Sequence, residues 1–181
     1  KCKLCDCIDV YVNVNYLRKI DEPPMTRTCD PQFADRVRAS FALQHAMTLI
    51  RATLPLVEAG RTEIHVPHWE GIEQQHGFVH GGVVGMIADS AAGYAAMTVV
   101  PAEASVLTVE YKMNLVAPAD GEKLIARGKV VRPGKTLIVT QAEVFAVKDG
   151  KESLCALMQQ TIMTVTRSEK PKTASRGEPE K

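Results

Sequence analysis

The stretch that most constrains this chain is His80-Gly81-Gly82-Val83-Val84-Gly85-Met86-Ile87-Ala88-Asp89-Ser90-Ala91-Ala92-Gly93-Tyr94-Ala95-Ala96-Met97. A glycine pair opens a segment that is apolar nearly all the way round. A helix of that kind is enclosed by other structure rather than laid on a surface. Each interior glycine costs about 1 kcal/mol of helix propensity relative to alanine. The return is close approach by neighbouring backbone. Asp89 breaks the pattern, because an aspartate is seldom buried without a partner and burying it unpaired is expensive. The N–H groups at a helix start lack intrahelical partners and carry the positive end of the dipole. Two glycines there let a ligand oxygen come close to the backbone. Gly81 and Gly82 can therefore polarise a carbonyl, while Asp89 serves a second reacting group. The residues alone also allow a plainer reading, in which the glycines serve packing and Asp89 pairs with a distant Arg or Lys.

His80-Gly81-Gly82, with Asp89 seven positions on and small residues after it, resembles the signature of hotdog-fold acyl-CoA thioesterases of the phenylacetate-degradation (PaaI) type. The flanks agree with this. Gln74-Gln75-His76-Gly77-Phe78-Val79 precedes the signature. Thr108-Val109-Glu110-Tyr111-Lys112-Met113-Asn114-Leu115 is similar to the family's central strand, and Val131-Arg132-Pro133-Gly134-Lys135-Thr136 to its next hairpin turn. The resemblance runs from about Phe33 to Val165. It implies an α+β hotdog: a curved antiparallel sheet wrapped around one long central helix.

The rest of the chain fits one domain with extensions. Its 181 residues are 45% apolar, which is enough for a core, and the net charge of +1 offers no electrostatic case for a nucleic-acid partner. No apolar run reaches the ~18 residues of a membrane span. Residues 1–30 read as a disordered N-terminal extension, with 1–24 as upstream sequence or an expression remnant and Met25 as a natural start for a chain of family size. Cys2-x-x-Cys5-x-Cys7 has a spacing that suits thiolate ligands, but Cys29 stands alone and no His occurs before His45. These cysteines therefore read as free thiols of a reducing compartment, with no metal, and the chain as cytoplasmic.

Asp30-Pro31 marks the start of an amphipathic helix over 31–44, with Arg36 and Arg38 on its solvated face. His45 to Glu58 reads as a strand, 62–67 as another. His65 and His68 fall on opposite faces of such a strand, against a shared metal. The central helix spans Gly82 to Val99, with Pro101 beyond its end. Strands follow over 105–116, 123–132, 136–147 and 154–166, the last pair joined by an Asp149-Gly150 hairpin. In the first of these, Val106, Thr108 and Glu110 alternate against Leu107, Val109 and Tyr111. Residues 167–181 are rich in Lys, Glu, Pro and Ser and read as a disordered tail. The hotdog domain is thus 31–166.

The resemblance also implies a site. Gly81 N–H polarises the thioester carbonyl, Asp89 acts as general base on water or as nucleophile, and Thr108 positions the water. Gln74 stands where relatives carry an Asn that holds the carbonyl or the water, with Gln75 as the nearby alternate. His80 and Gly82 complete the turn, and Arg132 and Lys135 are cationic contacts for coenzyme A. No cofactor or metal is needed, because coenzyme A is part of the substrate. The implied assembly is a dimer joined edge to edge, or a tetramer, with Gly81 and Gln74 from one copy meeting Asp89 and Thr108 of the other. The expected reaction is hydrolysis of an aryl or medium-chain acyl-CoA. Two other classes remain: a non-catalytic acyl-CoA-binding hotdog module, and an enoyl-CoA hydratase of the same fold. Such hydratases pair a more closely spaced Asp and His at the helix start, and the nine-residue separation of His80 and Asp89 does not match.

Overall fold

A computed structural model describes residues 30–166. The cysteine cluster and the C-terminal segment lie outside these residues. The order is α1 (Phe33–Ala42), α2 (His45–Leu49), β1 (Thr53–Glu58), β2 (Arg61–Pro67), a 3₁₀ turn (Glu70–Ile72), α3 (Gly81–Met97), β3 (Ala104–Leu115), β4 (Lys123–Arg132), β5 (Leu137–Lys148) and β6 (Lys151–Thr166). The six strands form one sheet in the order β1-β2-β4-β5-β6-β3. Every pairing is antiparallel. The curved sheet wraps α3, which is the architecture expected.

Small residues bring α3 onto the sheet. Gly128 on β4 faces the middle of the helix, and a Cβ there would overlap the Ala91 backbone carbonyl. Thr62 on β2 donates to the same carbonyl at 2.6 Å. Val84, Ile87, Ala88, Ala91 and Ala92 of α3 join Ile64, Val66, Leu124, Ala126, Val144 and Met158 in the main core. Ala95 and Ala96 pack with Val130, Ile138 and Ile162 in a second cluster towards the helix C-terminus. The Asp149-Gly150 hairpin has φ of 50° and 73° at its two central residues, the left-handed geometry that such a turn requires.

Three expectations need correction. His45–Leu49 is a short helix, not the start of a strand. Met47 and Ile50 are buried at helical spacing, whereas Leu49 is 72% exposed. The chain then turns at Arg51, with φ of 59°, and β1 begins only at Thr53. Arg36 is not a solvated residue either. Its guanidinium donates to Asp30 Oδ2 (2.8 Å) and to the carbonyls of Met97, Val100 and Ala104 at 3.0–3.2 Å, closing the C-terminal end of α3. Arg38 is exposed, as expected, and donates to the Leu54 carbonyl at 2.8 Å. Finally, β3 carries a bulge between Thr108 and Glu110 against β6. An extra residue switches the faces of everything after it. Tyr111 therefore sits on the same face as Thr108, not opposite it.

Candidate active site

The loop before α3 is pinned at both ends. His68 N–H donates to the Glu122 carbonyl (2.8 Å), Val79 N–H to Ala119 (3.1 Å) and His80 N–H to Ile72 (2.9 Å). Trp69 is stacked under the Arg51 guanidinium, 4.1 Å from the ring centroid. Within the loop, Gln74 Oε1 accepts from the His76 N–H at 2.6 Å, which leaves its NH₂ group as the available donor. Gln75 and His76 are exposed and lie against each other.

His80 is the N-cap of α3, and its Nδ1 accepts from the Gly82 N–H at 2.9 Å. A neutral ring in this role carries its proton on Nε2. This separates the two glycines. The Gly82 N–H is already bonded, so it is not the free donor that the sequence suggested. The Gly81 N–H has no hydrogen-bond partner among the described residues. Gly81 is thus the open donor at the positive end of the helix.

Asp89 lies two turns further on, half-buried. Its Oδ1 accepts from Thr108 Oγ1 at 2.7 Å and from Gln160 Nε2. Gln160 Nε2 also donates to Thr108 Oγ1 at 2.9 Å, and Gln160 Oε1 accepts from Thr140 Oγ1 at 3.1 Å. The structure therefore brings Asp89 and Thr108 together within one chain. Gln160 and Thr140 were not singled out from the sequence. In a run that alternates as any strand does, neither has a local signal.

A cavity of about 170 Å³ opens beside Asp89 and Thr108. Ser40 of α1, Gln44 at the start of α2, Ser90, Gly93 and Tyr94 of α3, and Val106 of β3 help to line it. The Tyr94 hydroxyl donates to Gln44 Oε1 at 3.3 Å. Burial pushes the phenol above its ordinary value, outweighing a contact with Ser40, so it stays a donor at neutral pH. A larger cavity, about 220 Å³, lies between the outer parts of β2, β4 and β5. Its Arg127 and Glu63 are paired with each other, and Asp89 is not among its lining residues.

One stripe of α3 is not covered in the single chain. Gly82, Met86, Asp89, Gly93 and Met97 recur at helical spacing and are all exposed or half-exposed. Next to it, Tyr111 and Leu115 of the edge strand β3 are 48% and 57% exposed. The position of a Cβ on Gly85 would lie 3.7 Å from the Tyr111 hydroxyl, and that on Gly81 would lie 3.1 Å from Leu115 Cδ1. Arg132 and Lys135 sit elsewhere, at the β4–β5 turn near the C-terminal end of α3. Both are exposed and have no ion-pair partner among the described residues.

A thioesterase-family protein from Silicibacter pomeroyi is 43% identical to this chain, which superposes on it with a TM-score of 0.74 and covers 99% of it. The chain belongs to the thioesterase superfamily. The superfamily profile matches residues 76–153, from the loop before α3 to the start of β6. A candidate esterase from Saccharolobus solfataricus is 37% identical over 95 residues, 52% of this chain. The chain spans 62–66% of the length of the curated relatives that it matches. The PaaI protein of Escherichia coli, from the phenylacetic acid degradation operon, is 16% identical with a TM-score of 0.66 and shares the fold. No helix among the described residues of this thioesterase-superfamily chain is long and apolar enough to cross a membrane.

Proposed function

We propose that the protein hydrolyses an acyl-CoA thioester, with water activated by Asp89 and the carbonyl polarised by the Gly81 N–H of a second copy. The observation that carries this reading is the pairing of an open helix-start N–H with a half-buried carboxylate on one helix. The two groups cannot serve one substrate from one chain. Eight residues at 1.5 Å each separate them by about 12 Å along the axis. A carbonyl bound at one copy's Gly81 needs the Asp89 of another. The uncovered stripe of α3 and the unpaired, apolar edge strand β3 support an edge-to-edge dimer that brings them together.

Water attacks the carbonyl carbon as Asp89 takes its proton. The oxyanion forms against Gly81 N–H, and the Gln74 NH₂ group is the second donor from the same copy. Collapse breaks the C–S bond, and the proton on Asp89 passes to the departing thiolate. The products are the free acid and coenzyme A. The cavity beside Asp89 favours a compact acyl group, because about 150 Å³ is enough to hold a benzene ring. An aryl or short medium-chain acyl group fits this space better than a long chain. The exposed Arg132 and Lys135 are available to the phosphates of coenzyme A.

The test is thiol release from phenylacetyl-, hydroxybenzoyl-, hexanoyl- and lauroyl-CoA, wild type beside Asp89→Asn. Loss of a positioned general base predicts a fall of roughly 10²–10⁴-fold in kcat. Wild-type turnover in the folded mutant would remove Asp89 from the mechanism. Binding of acyl-CoA without turnover in the wild type would establish a binding module instead.

A further inference from the structure

We infer that Gln160 is the positioning residue of this site: it anchors Asp89 through Oδ1 and leaves Oδ2 to take the proton. The inference rests on the reading of Asp89 as the general base.

Gln160 lies in the middle of β6 and is fully buried. Its same-face neighbours along the strand, Met158 and Ile162, are apolar. A buried amide in that setting is costly unless its donors and acceptor are satisfied. All the partners of this one belong to the site or hold it: Asp89 on α3, Thr108 on β3 and Thr140 on β5. A strand needing only core packing would be served by an aliphatic residue at this position.

The orientation of the amide follows from the chemistry of its neighbours. An ionised carboxylate only accepts, so Nε2 must face Asp89. The buried Thr140 hydroxyl donates to Oε1 and fixes the other end. The reverse orientation would set the amide oxygen against the carboxylate. Asp89 Oδ1 then holds two donors, Gln160 and Thr108. Oδ2 has no hydrogen-bond partner among the described residues. The Thr108 hydroxyl spends its proton on Asp89 and accepts from Gln160, which leaves one lone pair to orient a water by accepting from it. Thr108 cannot itself be the base in this arrangement.

The experiment compares Gln160→Met, Thr140→Val, Asp89→Asn and the double variant Gln160→Met/Asp89→Asn, with melting temperature and oligomeric state measured for each. Methionine keeps the volume of Gln160 and removes its donors. The expected result is a fall of roughly 10- to 100-fold in kcat for Gln160→Met, with KM within about twofold, as for a misplaced catalytic group. In the Asp89→Asn background the same change should cost nothing more, because the group that it positions is gone. Thr140→Val should lower kcat several-fold by releasing Oε1. An unchanged kcat in folded Gln160→Met overturns the inference. So does an equal loss in both backgrounds, which marks a purely structural role. If Gln160→Met does not fold, Thr140→Val decides, and full kcat there overturns the inference. Wild-type turnover in Asp89→Asn alone would instead overturn the reading of Asp89 as base.

Discussion

Arg36 shows how much one side chain decides. On a helix with Phe33, Val37 and Phe41 directed inward, an arginine between them reads as solvated. The fold places it against the end of α3, where carbonyls lack intrahelical partners. Its planar fork meets the Met97 carbonyl there, the Val100 and Ala104 carbonyls just beyond, and the Asp30 carboxylate at once, a pattern that lysine's point charge cannot reproduce. Arg36→Met keeps the aliphatic stem and strands these acceptors, with Asp30 only 5% exposed. The expected loss is about 3 kcal/mol, near the lower end for a broken buried pair because Arg36 keeps some contact with water. Urea unfolding measures it. A loss below about 1 kcal/mol would mean that water replaces the guanidinium without penalty.

At the scale of elements, the outer face of the sheet is tied by a charge cluster. Arg127 on β4 donates to Glu63 on β2 at 2.9 Å and to both oxygens of Glu152 on β6 at 2.6 and 2.8 Å. It reaches β6 over the ring of Phe145 on β5, 4.9 Å from the centroid. Burial raises the Glu63 carboxyl, but hydrogen bonds from Arg127 and His65 outweigh it and hold the group below its ordinary value of 4.5. The hydrogen bond from Arg127 does the same for Glu152. Both folded values are depressed, so the stabilisation is present above the ordinary carboxylate range and is lost as pH falls through the folded values. Solvent screening keeps each pair below about 1 kcal/mol. Arg127→Gln should therefore melt below wild type by a constant margin from neutral pH to about pH 5, and the margin should shrink below about pH 4. A margin unchanged at pH 3 would mean that the loss comes from packing on Phe145 and not from charge.

For the whole molecule, the proposed site is built from two copies, and this can be tested without a structure of the assembly. Gly81→Pro removes the open N–H at the first position of α3, where proline is well tolerated. His80 already has φ of −61° and ψ of 135°, a conformation compatible with a following proline. Gly81→Pro and Asp89→Asn should each be nearly inactive alone. Mixed after reversible dissociation, they should recover about a quarter of wild-type activity, because half of the dimers pair unlike copies and each such dimer has one intact site. A site contained in one chain would recover nothing. The recovery also requires subunit exchange, and native mass spectrometry of the mixture, which separates mixed dimers from the two parent dimers, shows whether it occurred.

Much of this protein is legible in local pattern. The enclosed helix, the alternation of the strands, the Asp149-Gly150 hairpin and the pairing of a glycine turn with Asp89 all depend on residues near one another in sequence, where period and turn chemistry act directly. Other features depend on residues far apart. Strand β6 lies between β5 and β3 only because of the sheet order, and that order alone carries Gln160 to Asp89, 71 positions away. The bulge at Val109 is set by the partner strand, and it moved Tyr111 onto the site face against its own alternation. The short helix α2 forms because the core takes Met47 and Ile50 and leaves Leu49 outside, which no propensity announces. The sequence by itself determined most of the elements and pointed to the carboxylate on which the proposed reaction depends. Tertiary structure decided which buried groups hold that carboxylate in place, because a hydrogen bond across the sheet exists only once the strands are in register.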